Sequence, residues 1–321
     1  MSVDGIIASD VHIREDRPYC RVDNYQATQW DKIAQIMQIQ AQFKIPVFYG
    51  GDVFNACKSS PELLAKAMRR MPTGYMVPGQ HDLPNHNMNL MYKSNLEVMM
   101  AHGTMECVCS KGVMVTYAEY AGITRPYAVY GLPWRYLEEH DEVTPESFPM
   151  QYQIGSEPPS RKVLILHKFV YEGALPWPGC EECQPEDFFK KIKGFDLIVT
   201  GDHHTPIVAE SGDGVILCNP GPLMRMKANE ADYKPRVYLW DAEANQVKPH
   251  FLTIDAEAVS REHLDTQKEK DQRMNAFIDS LQEDLELSLD FRENMHKEIR
   301  ESKISEPVTQ LIHRSMEERI K

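Results

Sequence analysis

Five times along this chain a short apolar run breaks off at an aspartate or a histidine. Asp10-Val11-His12 follows Ile6-Ile7-Ala8, Gly51-Asp52-Val53-Phe54 follows Ile45 to Tyr49, and Gly79-Gln80-His81-Asp82 follows Tyr75-Met76-Val77. His167 follows Val163 to Leu166, and Gly201-Asp202-His203-His204 follows Leu197-Ile198-Val199. Such runs read as buried strands bounded by turns, and Tyr127 to Tyr130 and Val215-Ile216-Leu217 add two more. Between the first two runs, Trp30, Ile33, Ala34, Met37 and Ala41 recur at helical spacing. Pro61 to Arg70 reads as a second helix, with Ser60 as N-cap and Pro61 at the first helical position. Strand, helix and strand in succession predict an α/β fold. In such a fold the carboxyl ends of the strands gather distant motifs into one crevice.

Beyond about Gly103 the pattern is richer in strands, and from Ala256 it turns into a charge-dense helical segment. This places a catalytic domain at residues 1–255 and a helical tail at 256–321. Met274, Phe277, Ile278, Leu281 and Leu285 form one helical stripe in the tail. Ser305-Glu306-Pro307 starts another helix before Val308, Leu311, Ile312 and Met316. These stripes either dock on the catalytic domain or bind a partner or a second copy of the chain.

With 42% hydrophobic and 26% charged residues among 321, the chain can bury a sizeable core. No apolar run approaches the roughly 18 residues of a membrane helix, and Val3 to Ala8 lacks a basic leader or cleavage site. A cytoplasmic protein without membrane contact is expected. Seven cysteines, an odd number, suit reduced thiols. Cys107-Val108-Cys109 and Cys180-Glu181-Glu182-Cys183 offer four thiolates, but neither has a matching spaced pair, so a zinc site is not expected. The net charge of −13 excludes strong unaided binding of duplex nucleic acid through a broad basic surface.

Taken singly, each motif is ordinary chemistry: an aspartate in a turn, a surface histidine, or a hydrogen-bonded core histidine at His167. Their order in series is what accident does not supply. Two divalent cations about 3.5–4 Å apart repel one another, so a carboxylate must lie between them. Asp52 is the natural bridge. Asp10, His12 and His204 complete one site, and Gln80, His167 and Asp202 the other. Mixed imidazole and carboxylate ligands suit manganese foremost, with magnesium, iron or zinc as alternatives, rather than calcium.

Over roughly residues 5 to 225 these motifs resemble the calcineurin-like metallophosphoesterases. Within that family they are similar to the SbcD-type nuclease subunits of DNA double-strand-break repair. Asp10-Val11-His12 matches the family's D-x-H, and Gly51-Asp52-Val53-Phe54 its nuclease form G-D-x-F. Asn55-Ala56-Cys57 does not continue into the D-R-G of the protein phosphatases. Asn219-Pro220-Gly221-Pro222 resembles the Pro-Gly segment after the last ligands. The resemblance implies a two-sheet sandwich flanked by helices, DNA as substrate, an SbcC-type SMC-like ATPase as partner, and a homodimer.

It also implies that His81 acts at the leaving oxygen with Asp82 orienting its ring. Arg14, Asn55, His86 and Asn87 are then candidate substrate contacts, and Arg17, Arg21, Lys66, Arg69 and Arg70 candidate phosphate contacts. Two positions depart from the pattern: Gln80 stands where the family has asparagine, and Asp202 where G-H-x-H has its first histidine. Gln80 keeps the carbonyl donor on one more methylene. Asp202 removes one positive charge from the site, which favours manganese or magnesium over zinc. A shifted register would make His203 the ligand and Asp202 a turn cap. Two other readings remain: a phosphodiesterase or phosphatase for small phosphoesters, and a metal-binding scaffold without turnover.

Overall fold

The computed structural model describes residues 2–116, 120–133, 142–149, 158–178, 180, 183–261, 306 and 310. The chain divides into a unit of residues 1–260 and a second of residues 261–321. Both expected tail stripes lie outside the described residues.

The apolar runs become the central strands of two mixed sheets of six strands each. In the first, β1 (Gly5–Ala8), β2 (Val47–Tyr49), β3 (Gly74–Met76) and β4 (Met105–Cys107) run parallel. The second contains β5 (Gly112–Val115), β6 (Tyr127–Leu132), β7 (Lys162–Leu166), β8 (Leu197–Val199), β9 (Ile207–Glu210) and β10 (Ile216–Asn219). There β6, β7, β8 and β10 run parallel, and β5 and β9 close the edges antiparallel. The last strands, β11 (Arg236–Asp241) and β12 (Gln246–Phe251), return to the first sheet, with β11 antiparallel to β1.

Burial on both faces explains why the strands read as unbroken apolar runs. Val163, Ile165, Leu197, Val199, Ile216 and Cys218 join a core shared with Ile6, Ile7, Val47 and Phe48 of the first sheet. The alternate residues Leu164, Leu166, Ile198 and Leu217 face a second cluster with Phe188, Ile192 and Phe195.

The helices follow their sequence signals with one correction. In α2 (Pro61–Arg70), Ser60 Oγ accepts the Leu63 N–H at 3.1 Å, as the capping pattern requires. The first helix, α1 (Tyr25–Phe43), buries Tyr25, Gln29, Trp30, Lys32, Ile33, Ile36 and Ile39. Met37 is 38% exposed and Ala41 is also exposed, so the expected stripe is rotated. Lys32 sits on the buried face because its ammonium donates to the Thr253 carbonyl at 2.7 Å, a partner 221 residues away. Two further helices, α3 (Asn95–His102) and α4 (Pro185–Lys191), complete the layers.

The segment after β12 stays with the first unit, since Val22 N donates to Ala258 O at 3.1 Å and Ser260 N to Cys20 O at 2.8 Å. Among the described residues no helix is long and apolar enough to cross a membrane.

Candidate metal centre

The parallel strands deliver the motifs to one rim. The first and second motif loops run side by side, with Asp10 N donating to Gly51 O, His12 N to Asp52 O and Ile13 N to Val53 O at 2.9–3.1 Å. This ladder holds Asp10, His12 and Asp52 at φ 49°, 46° and 49°, and Asp202 enters the same rim at φ 74°. Left-handed backbone at a non-glycine residue costs on the order of 1–3 kcal/mol, and it persists where surrounding bonds over-determine it. Glycines permit the close approach. A Cβ at Gly51 would fall 2.3 Å from His167 Nδ1, and one at Gly79 would fall 2.1 Å from Asp52 Oδ1.

Asp52 lies at the middle of the cluster. Its Oδ2 is 3.5 Å from His167 Nε2, 3.8 Å from His12 Nε2 and 4.0 Å from His81 Nε2. Asp10 Oδ1 is 3.9 Å from His12 Nε2 and 4.0 Å from His204 Nε2, and Asp202 Oδ1 is 3.9 Å from His167 Nε2. Three overlapping groups could hold an ion: Asp10, His12 and His204; Asp10, Asp52 and His167; and His12, Asp52 and His81. Asp10 and Asp52 each belong to two of them. Gln80 enters through its amide, which donates to Asp202 Oδ1 at 2.7 Å.

Unsatisfied atoms test whether these residues suit cations. His12 Nδ1 and Nε2, His167 Nε2 and Gln80 Oε1 are buried without a hydrogen-bond partner. Burying such an atom unpaired costs roughly 1–3 kcal/mol. Together with three carboxylates, these lone pairs make a donor set of the hard and borderline kind that divalent transition metals take. The residues fit a pair of divalent cations.

The family-level comparison agrees with this chemistry. The calcineurin-like phosphoesterase family matches residues 6–206. The chain belongs to the calcineurin-like phosphoesterases. Solved structures similar to it include an archaeal phosphodiesterase, at 12% identity over 77% of this chain and 99% of that one, with a TM-score of 0.37. A metallophosphoesterase from Sphaerobacter thermophilus is 13% identical over 79% of this chain and 89% of that one, with a TM-score of 0.33. Phosphopantetheinyl hydrolase from Mycobacterium tuberculosis is 13% identical over 77% of this chain and 95% of that one, with a TM-score of 0.39. No curated protein matches the sequence.

Charges within this phosphoesterase centre set the proton inventory. Burial pushes Asp10 up to about 6 and His12 down to about 3. At Asp52 burial is outweighed by His167, His12 and His81, which bring it down to about 2. Burial also works against a charged His167, yet Asp52, Asp10 and Asp202 raise it to about 10. That value lies above the 6.5 of an unfolded histidine. Its contribution to stability is therefore complete below pH 6.5 and lost as pH rises through about 10.

His167 Nδ1 donates to the Gly50 carbonyl at 2.6 Å, so the labile proton sits on Nε2, where a cation must displace it. Manganese affinity is expected to rise by about tenfold per pH unit between pH 7 and 9. Titration calorimetry in buffers of different ionisation enthalpy should show protons released on binding; proton-neutral binding at pH 8 would remove His167 from the ligand set.

Other expected residues take unexpected places. Asp82 does not hold the ring of His81. Its buried carboxylate accepts the N–H groups of Phe54, Gly79 and Val53 at 2.9, 3.0 and 3.1 Å, tying the second motif loop to the third. The His81 ring instead has Nδ1 3.2 Å from the carbonyl oxygen of Asn55, a residue expected to touch substrate through its side chain. His203 is turned away, with Nδ1 2.6 Å from Val170 O and its ring 4.4 Å from Phe169, whereas Asp202 faces the cluster.

Arg14 is ion-paired with Asp16, and Arg21 is buried between Asp23 and the Arg225 carbonyl. Lys66 lies 4.7 Å over the Trp30 ring. None of these three basic side chains stands free to track phosphates. Arg17, Arg69, Arg70 and His86 are exposed, and His86 Nδ1 is 3.0 Å from the Gln80 carbonyl.

Glu230 was not foreseen. It accepts the N–H of Met226 at 2.7 Å and of Lys227 at 3.1 Å and lies 3.4 Å from His204 Nδ1, where it orients the ring. Its only sequence signal is its position shortly after the Pro-Gly segment. That segment braces the rim, with Leu223 N donating to Asp10 O at 3.2 Å and Asn219 Nδ2 to His203 O at 2.7 Å.

Proposed function

We propose that the chain cleaves phosphodiester bonds in DNA, as the nuclease subunit of an SbcCD-like repair or recombination complex. The observation that carries hydrolysis is the convergence of Asp10, His12, Asp52, Gln80, His167, Asp202 and His204 beside a histidine, His81, whose side chain is 45% exposed. DNA as the substrate draws on Gly51-Asp52-Val53-Phe54 and on the expected tail.

When bound, two divalent cations supply the Lewis acidity that orients a phosphodiester and activates water for in-line attack. Asp52 and Asp10 hold the centre together from between the histidines. His81, with Nδ1–H directed at the Asn55 carbonyl, keeps Nε2 at the open side, where in its protonated form it gives a proton to the leaving oxygen. Manganese is the expected metal.

An SbcC-type ATPase, docked on the tail, would grip the DNA that a chain of net charge −13 repels. One observation favours a second reading. Because Arg14, Arg21 and Lys66 are committed to Asp16, Asp23 and Trp30, the isolated subunit suits a small phosphoester.

Manganese-dependent digestion of linear DNA, run beside a chromogenic bis-ester and a monoester, separates the readings. Cleavage of DNA and the bis-ester supports the nuclease, preference for the monoester indicates a phosphatase, and inertness towards all three indicates a scaffold. A second test addresses Asp202. The variant Asp202→His adds one positive charge and is expected to shift bound metal towards zinc by about tenfold in elemental analysis. Unchanged metal content and turnover would refute that role for its charge.

A further inference from the structure

The metal centre leaves unused the loop that follows His167. Past the end of β7 the chain runs through Phe169 and the buried pair Val170 and Tyr171, then out to the exposed residues 172–178. Cys183 closes the base of this loop, bridging Val170 and accepting the Tyr171 N–H at 3.3 Å. Near its far end Trp177 stands between Pro176 and Pro178. Each proline fixes its own φ, and the second also keeps Trp177 out of helical backbone, so the indole is carried on a stiff arm. The Trp177 carbonyl accepts the Cys180 N–H at 3.2 Å, which holds the arm from the other side.

The indole folds back towards the metal rim. Its ring meets Phe169 edge to face, with centroids 5.3 Å apart and planes at 64°. Phe169 in turn lies against His203, with centroids 4.4 Å apart and planes at 34°, and His203 Nδ1 is pinned 2.6 Å from the Val170 carbonyl oxygen. His203 separates Asp202 from His204, and Phe169 follows His167 by two residues, so the row of three rings is anchored in two of the ligand motifs. A T-shaped contact covers at most one face of an indole, and Trp177 stays 47% exposed.

We propose that Trp177, backed by Phe169 and His203, is a stacking platform for a nucleobase flanking the scissile phosphate. The inference rests on the phosphodiesterase reading of the centre and adds how that centre selects its substrate. A neutral base face meets the indole without opposing the net charge of −13. Phosphate contacts would instead need basic side chains, and Arg14, Arg21 and Lys66 are committed to Asp16, Asp23 and Trp30. Every base has a π-face, so the platform is tolerant of sequence, but a base stacked within a duplex cannot offer that face. The doubled histidine thereby has two tasks: His204 faces Asp10 in the cluster, and His203 holds the platform.

Two diesters with the same leaving group test the platform: thymidine 5′-(p-nitrophenyl phosphate) carries a base, and methyl p-nitrophenyl phosphate does not. With manganese, the full chain should show a KM about tenfold lower for the thymidine ester. Trp177→Ala should bring the ratio of the two KM values close to one, and Trp177→Phe should restore most of it. A ratio near one in the wild type, or a ratio that Trp177→Ala leaves unchanged, would overturn the assignment, the latter result passing the exposed indole to a protein partner. A second readout needs no turnover. In chelator, an oligothymidylate of about eight nucleotides should quench the part of the fluorescence that Trp177→Phe removes, and an abasic oligomer of the same length should not. Equal quenching by both oligomers, or by neither, would also overturn the platform. If the wild-type chain hydrolyses neither ester, the phosphodiesterase reading falls, and the fluorescence result still decides the platform.

Discussion

Replacing His81 by alanine should leave cation binding nearly unchanged while turnover falls by about 10²–10⁴-fold, the usual contribution of a positioned acid. The side chain is 45% exposed at the open side of the cluster, and its Nε2 is 4.0 Å from Asp52 Oδ2. The backbone contribution survives the change, because the N–H at this position donates to Asp52 Oδ1 at 2.9 Å whatever the side chain. Elemental analysis and turnover of a bis-ester over a pH series distinguish the outcomes. If metal content falls in step with turnover, His81 is instead a ligand, completing the group it forms with His12 and Asp52.

The second large effect is on stability. In Asp82→Ala, three buried backbone donors at Val53, Phe54 and Gly79 lose their acceptor at once. At roughly 1–3 kcal/mol per stranded group, about 3–9 kcal/mol of stability should go, a large share of a domain's usual margin of about 5–15 kcal/mol. Asp82→Asn keeps one carbonyl oxygen but turns an amide towards the other donors, so it should recover only part of the loss. Denaturant unfolding with chelator present throughout measures the protein's own contribution. A loss under about 1 kcal/mol would show that water replaces the carboxylate.

Which features were legible in the sequence follows from where their causes lie. The strand runs, the cap at Ser60 and the ligand motifs have causes within a few residues, so spacing and residue type reveal them. The face of α1 does not: Lys32 looks like a solvent residue until Thr253 arrives to accept its proton. Arg21, which looked like a phosphate contact, is buried because Asp23 and the Arg225 carbonyl satisfy it.

The same reasoning explains why Asp82 was expected beside the His81 ring and is found elsewhere. Asp82 is its neighbour in sequence and invited a role on the ring, whereas the partner is a backbone carbonyl at Asn55, which carries no side-chain signature. Glu230 escaped notice because its link to His204 exists only once β10 and the segment after it fold back to the rim. Short strands such as β4 and β9 have pattern enough only when paired.

The candidate ligands are divided between the two halves of the sandwich. Asp10, His12, Asp52 and Gln80 leave strands of the first sheet, and His167, Asp202 and His204 leave strands of the second. Cations seated there would rivet one half to the other, and without them the seam keeps the His167 imidazole 3.5 Å from Asp52 and the Asp202 N–H donated to Asp10. A chelator would then do more than silence the enzyme: it would loosen the building itself.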